Sequence, residues 1–341
     1  MIMGVERLPD LASRALGGSV VYASDELFAE RENLIRPEPP IFDASSFGHK
    51  GKVYDGWETR RRREPGHDVA IVRLGAPGVI RGVVIDTAYF TGNYPPEASL
   101  DGTALAGNPS VDELLAASWS EVVPRSPLAG DTANHFEVTD PRRWTHVRLS
   151  IYPDGGVARL RVLGQVVPDP RFLTGTVDLA ALENGGSVID CSDEFYGSPT
   201  NLIMPGRARH MGEGWENARR RGAGNDWVML RLGAPGRLTE VEIDTSYFVG
   251  NAPGEAALTG VDERVATIGD PQAWVTVLER TRLQPDARHR VRVDTGPVTH
   301  VRLDVYPDGG IARLRLLGEV DPDELAALIE TAQAAEEEEA R

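Results

Sequence analysis

The sequence has a single cysteine, Cys191, among 341 residues, so no disulfide can form within the chain. One cysteine also excludes a cysteine-based zinc site and fits a reducing compartment. No apolar run approaches the roughly 20 residues that a membrane-spanning helix needs. The first residues, Met-Ile-Met-Gly-Val-Glu-Arg, are not followed by the apolar core of a signal peptide. We therefore expect a cytoplasmic protein with no membrane partner.

Basic residues are fewer than acidic ones, since 36 Lys and Arg stand against 52 Asp and Glu and give a net charge of −16. A nucleic-acid partner is not expected, because a phosphate binder presents a basic face. No P-loop, dinucleotide-binding glycine motif or Gly-x-Ser-x-Gly elbow is present, and no two histidines have the i, i+4 spacing of a helical metal site. No cofactor is therefore expected, while a role for a divalent metal stays open.

The sequence consists mainly of two similar copies of one segment. The two copies extend roughly over residues 17–165 and 185–319, and we predict domains at 1–167 and 176–320, followed by an acidic helix or tail at 321–341. The first copy has an insertion with His49 and Lys50 that the second lacks. The matching strings are Gly18–Ile35 with Gly186–Ile203, Gly56–Glu58 with Gly214–Glu216, Leu74–Gly78 with Leu232–Gly236, Asp86–Asn93 with Asp244–Asn251, and Thr145–Gly156 with Thr299–Gly310.

Local patterns in both copies are mostly those of β-strands. Val157–Leu163 and Ile311–Leu317 alternate apolar and charged residues, which is the period of a half-buried strand. Pro-Asp-Gly-Gly at 153–156 and 307–310 is turn chemistry. Short strands with regular turns predict an all-β chain built as antiparallel sandwiches or jelly rolls. Helices are expected only at Asp112–Ala117, in parts of the termini and in the arginine run.

A carboxylate beside several arginines is the strongest candidate for chemistry. The guanidinium group suits bidentate binding of a carboxylate. Arginines would normally keep Glu58 ionised, so a general-acid role requires desolvation that raises its pKa. The alternative is a solvated basic turn that pairs with acids elsewhere. The residues of this cluster are Glu58, Arg60, Arg61, Arg62, Arg63, His67 and Asp68.

A second candidate follows an apolar strand that ends at Asp86, with Thr87 next to it and Asn93 after a glycine. A carboxylate at a strand end could accept N–H groups of a ligand, but it could equally cap the following turn. The histidines are less promising. His146 and His300 alternate with apolar residues in predicted strands and are expected to be structural.

Together these strings resemble the allantoicase family, and the resemblance extends from about Gly18 to Gly318. It implies two tandem jelly-roll domains of the galactose-binding type, a homo-oligomer, and hydrolysis of allantoate to ureidoglycolate and urea in allantoin degradation. One departure is Val69, where we expect a tryptophan and the second copy has Trp227. The strings that carry the resemblance are Ser24–Glu26 with Asn33–Leu34, Phe47–Gly51, Asp55–Arg61, Gly66–Asp68 and Asp86–Asn93.

Allantoate carries a carboxylate and two ureido groups on one carbon, so release of intact urea breaks the bond from that carbon to a ureido nitrogen. We expect Arg61 or Arg62 to hold the carboxylate, while Glu58 and His67 act as acid and base. The copy with His67 is the predicted site, while a site shared between the two copies stays open. The residues assigned to catalysis are Glu58, His67 and Asp68, and those assigned to substrate binding are Arg60, Arg61, Arg62, Asp86, Thr87 and Asn93. A non-catalytic carbohydrate-binding protein and a ureidoglycolate lyase are the alternatives.

Overall fold

The computed structural model describes residues 5–49 and 51–339. The chain divides into two compact units, Met1–Val167 and Pro168–Arg341, which are called repeat 1 and repeat 2 below. Each repeat is a jelly-roll β-sandwich, and the α-helices of the described residues are only α1 (Val111–Ala116) and α2 (Pro322–Glu339). Within the described ranges, no helix is both long and apolar enough to cross a membrane.

The strands of repeat 1 are β1 (Ser19–Ala23), β2 (Phe47–Gly48), β3 (Gly51–Lys52), β4 (Trp57–Glu58), β5 (Asp68–Asp86), β6 (Glu97–Thr103), β7 (Ser120–Pro127), β8 (Ala133–Glu137), β9 (Arg143–Tyr152), β10 (Gly156–Val157) and β11 (Arg159–Val166). Those of repeat 2 are β12 (Val177–Asp178), β13 (Ser187–Cys191), β14 (Trp215–Glu216), β15 (Asp226–Asp244), β16 (Glu255–Val261), β17 (Val275–Arg282), β18 (Arg288–Arg292), β19 (Pro297–Tyr306), β20 (Gly310–Ile311) and β21 (Arg313–Val320). Short 3-10 helices occupy Val5–Arg7, Arg14–Leu16, Arg31–Ile35, Pro170–Phe172, Leu182–Asn184, Pro199–Ile203, Met211–Glu213 and Pro271–Ala273.

Strand β5 belongs to both layers of repeat 1, because its first half pairs with β1 and β9 and its second half with β11 and β8. A straight strand of 19 residues would span about 60 Å. Its first residue nevertheless donates its N–H to Pro153, and the carbonyl of its last residue accepts from Ala158. Both ends therefore lie beside one short segment, and β5 bends at the irregular stretch between Arg73 and Gly78. In repeat 2, β15 is paired in the same way.

The core of repeat 1 lies between the two layers that β5 joins. Alternating side chains of its strands are fully buried, among them Ile80, Ile85 and Leu149. Phe90 is also buried, and it lies under the turn at 153–156, where a Cβ on Gly156 would overlap its ring. Gly155 has a φ of +146°, which an L side chain rarely adopts. The recurring Pro-Asp-Gly-Gly string therefore allows the backbone to approach a buried aromatic ring.

The predicted all-β, tandem jelly-roll fold is confirmed, and the predicted helix at Asp112–Ala117 is observed one residue earlier, as α1. The expectation of a helix in the arginine run was wrong. The run has no regular structure, because the backbone N–H of Arg60 donates to Asp25 and that of Arg62 donates to Asp154. Distant carboxylates thus take the donors that a helix would have used.

Candidate active site

The candidate residues lie at the end of repeat 1 where β4 pairs with β10. The N–H and C=O groups of Glu58 bond to Ala29 on one side, at 3.2 Å each. The next residue, Thr59, donates its N–H to the carbonyl of Gly155 at 3.1 Å, and its hydroxyl accepts the N–H of Gly155 at 3.2 Å. The 153–156 turn therefore fixes the segment that carries Glu58 and leads into the arginine run.

Glu58 forms a hydrogen-bonded pair with Asn93, whose Nδ2 donates to Oε1 at 2.6 Å. The glutamate is half-buried, and this burial raises the pKa of its carboxyl above the ordinary value, against the opposing effect of the Asn93 hydrogen bond. Asn93 is held in turn, because its carbonyl accepts the N–H of Gly156 at 2.7 Å. The desolvation that a general-acid role requires is therefore present at Glu58.

Arg62 is bound to Asp68, with 2.8 Å between Nη1 and Oδ1. Ser24 donates its hydroxyl to the same oxygen at 2.9 Å, and Asp68 is only 2% exposed. The other oxygen, Oδ2, is buried without a hydrogen-bond partner among the residues the structure describes. Asp154 accepts the backbone N–H of Arg62 at 2.8 Å. Asp68 and Asp154 therefore fix Arg62, and its guanidinium is already engaged.

The other arginines of the run differ in how free they are. Arg60 pairs with Asp25, with 2.6 Å between Nε and Oδ2, so its guanidinium is also engaged. Arg61 is exposed and has no hydrogen bond or ion pair to any other residue in 5–49 or 51–339. Arg63 is exposed and unpaired in the same ranges, so Arg61 and Arg63 are the guanidiniums of the run that are available to a ligand carboxylate.

His67 lies at the surface with its ring tilted against Tyr152, at 4.7 Å between ring centroids. Partial burial of the ring lowers the pKa of His67 below its ordinary value, and the nearby positive charges of Arg148 and Arg62 lower it further. The imidazole is therefore biased towards its uncharged form, which can accept a proton.

Asp86 and Thr87 are engaged in the turn that follows β5. Oδ1 of Asp86 accepts the N–H of Ala88 at 2.8 Å, and the hydroxyl of the fully buried Thr87 donates to the carbonyl of Ala129 at 2.7 Å. This turn carries Asn93 to Glu58. Substrate binding by Asp86 and Thr87 stays a prediction that none of these contacts supports.

The insertion of repeat 1 packs against the same turn. Phe42 stacks on Tyr89 at 5.5 Å and on Tyr54 at 5.4 Å, and Tyr54 stacks on Phe90 at 4.9 Å. His49 is exposed beside the β2–β3 hairpin, and Lys50 lies outside the described residues. The insertion therefore supports the turn with aromatic rings.

Repeat 2 keeps two of these side-chain pairs but has a different residue at the position of His67. Asn251 donates to Glu216 at 2.5 Å, and Arg220 binds Asp226, as their counterparts do in repeat 1. Asn225 stands in place of His67. The glutamate–asparagine pair is thus present in both repeats, but the histidine is present in only one.

Four partners of the candidate residues were missed in the sequence, namely Ser24, Asp25, Tyr152 and Asp154. Each belongs to a string that recurs in both copies, Ser-Asp-Glu or Tyr-Pro-Asp-Gly-Gly, so recurrence was the available signal. The second string was interpreted as turn chemistry alone. As for metals, the described part of the chain has no group of three or more His, Cys, Asp or Glu side chains placed to hold an ion.

Comparison with known proteins decides the family. The family model described as "Allantoicase repeat" matches residues 9–167 and 177–321. The chain belongs to the allantoicase family. Two relatives named probable allantoicase are 56% identical in Nocardia farcinica, covering 93% of this chain and 96% of the relative, and 52% identical in Streptomyces coelicolor, covering 94% and 87%. The crystal structure of allantoicase from Saccharomyces cerevisiae is 35% identical, covers 92% of this chain and 94% of that chain, and has a TM-score of 0.76.

The resemblance to the allantoicase family is thereby confirmed over nearly the whole chain. Each matched allantoicase repeat contains one glutamate–asparagine pair, Glu58–Asn93 in the first and Glu216–Asn251 in the second. The pair is therefore part of the repeating unit of this family member.

Proposed function

We propose that the end of repeat 1 formed by Glu58, Asn93, Arg61 and His67 is where this protein cleaves allantoate. As a member of the allantoicase family, the chain is a hydrolase that acts on carbon–nitrogen bonds in linear amidines. It converts allantoate and water to ureidoglycolate and urea. The observation that carries the proposed site is the Glu58–Asn93 pair, because it holds a partly desolvated carboxyl, and the unpaired Arg61 follows three residues later in the chain.

Glu58 acts as the general acid. Its raised pKa increases the fraction of the protonated form, which can give a proton to the departing ureido nitrogen as the carbon–nitrogen bond breaks. Asn93 binds Oε1, which orients the carboxyl and leaves the second oxygen, Oε2, for the substrate. The remaining ureido nitrogen supplies the electron pair that expels neutral urea.

Arg61 and His67 take the two other roles. The planar guanidinium of Arg61 binds the substrate carboxylate with two parallel hydrogen bonds. Water then adds to the electron-poor carbon, and the uncharged imidazole of His67 takes the proton that this water loses. Return of that proton through solvent restores Glu58, so one water is consumed for each urea released.

The test compares Glu58→Gln with the matched variant Glu216→Gln. Glutamine keeps the acceptor for asparagine but has no acidic proton, so we expect Glu58→Gln to lose about 100- to 10,000-fold in kcat. Glu216→Gln should keep the wild-type rate. The readout is urea released from allantoate, with ureidoglycolate as a second substrate to test the lyase alternative. An active Glu58→Gln variant would refute the acid role, and loss of activity in Glu216→Gln would refute the assignment to repeat 1 alone.

We also propose that the protein works as a homo-oligomer, in the cytoplasm and without a cofactor. The family resemblance supports the first expectation, and composition supports the other two. Sedimentation equilibrium of the purified chain tests the oligomer, and cell fractionation tests the compartment. Urea release after exhaustive dialysis against a chelator tests metal dependence.

A further inference from the structure

Repeat 2 has an open depression of about 420 Å³ beside the turn that follows β19. The residues that line it are Gly224, Asn225, Glu255, Arg280, Tyr306 and Pro307. In repeat 1 the residue equivalent to Asn225 is His67, since each directly precedes the aspartate that begins the long strand of its repeat. The two repeats can therefore be compared residue by residue at this place.

In repeat 1 this place is filled by a side chain. The ring of His67 lies 4.7 Å from that of Tyr152, and the guanidinium of Arg125 lies 4.1 Å from the same ring. The hydroxyl of Tyr152 is hydrogen-bonded to Ser99 at 3.0 Å. Both the ring and the hydroxyl of this tyrosine are thus occupied.

In repeat 2 two exchanges free the corresponding tyrosine, Tyr306. Asn225 replaces the histidine, and its Nδ2 donates to Asp304 at 2.8 Å. Ala257 replaces the serine, so the hydroxyl of Tyr306 has no hydrogen-bond partner in the described part of the chain. Arg280 remains over the ring at 3.9 Å. The exchanges therefore leave a depression with an unpaired phenol and no imidazole.

We propose that this depression is a second binding site, for a neutral planar ureido group that contacts Tyr306 where repeat 1 holds the imidazole ring of His67. Its charges are already balanced, because Glu255 pairs with Arg280 and Asp304 with Arg302. An uncharged ligand therefore fits better than an ion.

A ureido group offers the hydrogen bonds that this depression can complete. Its carbonyl accepts from the phenol of Tyr306, and its N–H groups donate to Oδ1 of Asn225 and to the carboxylate of Glu255. No histidine stands here to accept a proton. The site therefore binds a ligand with the chemistry of the substrate without the base that repeat 1 supplies.

The test observes the Tyr306 ring directly. The 8 tyrosines are labelled with ¹³C in otherwise deuterated full-length protein, Tyr306→Phe identifies the signal, and methylurea is the probe. We expect a saturable shift of the Tyr306 signal. Asn225→His restores the side chain of repeat 1 and should abolish that shift. Ala257→Ser gives the phenol a partner and should raise the half-saturating methylurea concentration about fivefold, the worth of one neutral hydrogen bond.

A Tyr306 signal that does not move with methylurea overturns the proposal, and so does an equal shift in Asn225→His. Movement of the Tyr152 signal alone would place the ligand in repeat 1 and also overturn it. Unchanged positions of the other tyrosine signals verify that each variant is folded. No turnover is measured, so failure of this proposal is distinguishable from failure of the catalytic assignment.

Discussion

Replacing Gly56 by alanine tests whether close packing beneath β4 holds the proposed active site together. A Cβ at this position would lie 2.6 Å from the carbonyl oxygen of Val157, 2.8 Å from Cα of Ala158 and 2.8 Å from Cε2 of Phe90. Carbon atoms in ordinary contact are about 3.5–4.0 Å apart, so the neighbours must move by about 1 Å. Two of the three atoms belong to the backbone and cannot rotate away. Overpacking of this kind costs about 1–3 kcal/mol, and backbone neighbours place Gly56→Ala near 3 kcal/mol.

The same displacement reaches the proposed catalytic pair. Glu58 follows Gly56 by two residues, and Phe90 lies on the turn that carries Asn93. A misplacement of about 1 Å at an active site can lower the rate about 100-fold. We therefore expect Gly56→Ala to lose both stability and about two orders of magnitude in kcat/KM.

The assays are guanidinium unfolding followed by circular dichroism and urea release from allantoate. Gly214→Ala is the matched control, because its Cβ would lie 2.7 Å from Cζ of Phe248 and 2.8 Å from the carbonyl oxygen of Ile311. It should lose similar stability and keep its activity. Gly92→Ala meets nothing within 4 Å and should change stability by less than about 0.5 kcal/mol. Wild-type stability in Gly56→Ala would refute the packing argument, and equal loss of activity in Gly214→Ala would refute the assignment of catalysis to repeat 1.

Three further results are expected. Arg61→Ala should leave stability within about 0.5 kcal/mol of wild type, but raise the KM for allantoate about tenfold, because a hydrogen bond to a charged group contributes about 1.5–3 kcal/mol. Arg219→Ala, its counterpart in repeat 2, should leave KM unchanged, and a KM that rises equally in both variants would contradict this. Arg148→Gln removes a positive charge that lowers the pKa of His67, so that pKa should rise. Since His67 must be uncharged to accept a proton, the acid limb of the kcat/KM profile should move to higher pH; an unmoved limb would mean that another group titrates there. Dialysis against a chelator should leave the steady-state rate of urea release unchanged, and activity regained only with added divalent metal would show the opposite.

The strands could be predicted because a strand that is buried on one face has alternating apolar and polar residues in its sequence. Val157–Leu163 alternates apolar and charged residues, and the structure pairs Arg159–Val166 with β5. The helix expected in the arginine run does not form, because carboxylates remote in sequence accept the backbone N–H groups of the run. Asp25 and Asp154 take backbone N–H groups of the run, and nothing within the run itself records those partners. Local propensity therefore loses to tertiary hydrogen bonds that local pattern does not contain.

The sequence predicted which residues belong to the candidate site better than it predicted how they contact one another. Glu58, Arg61 and Asn93 were named from residue type and recurrence. Which of them has a hydrogen-bond or ion-pair partner depends on the folded structure. That Asn93 binds Glu58 follows from the turn after β5, 35 residues away along the chain. That Arg61 is unpaired while Arg62 is engaged depends on where Asp68 is buried. Spacing alone cannot distinguish one arginine of a run from the next.

The pairing of β4 with β10 has a consequence for synthesis of the protein. Glu58 is opposite Gly156, which is added 98 residues later, so no local hairpin can form the site. A nascent chain on the ribosome carries Glu58 and the arginine run without the backbone that fixes them. Those charged residues find their places only when repeat 1 is nearly complete. Both partners of this pairing must therefore have been synthesised before this end of repeat 1 can form.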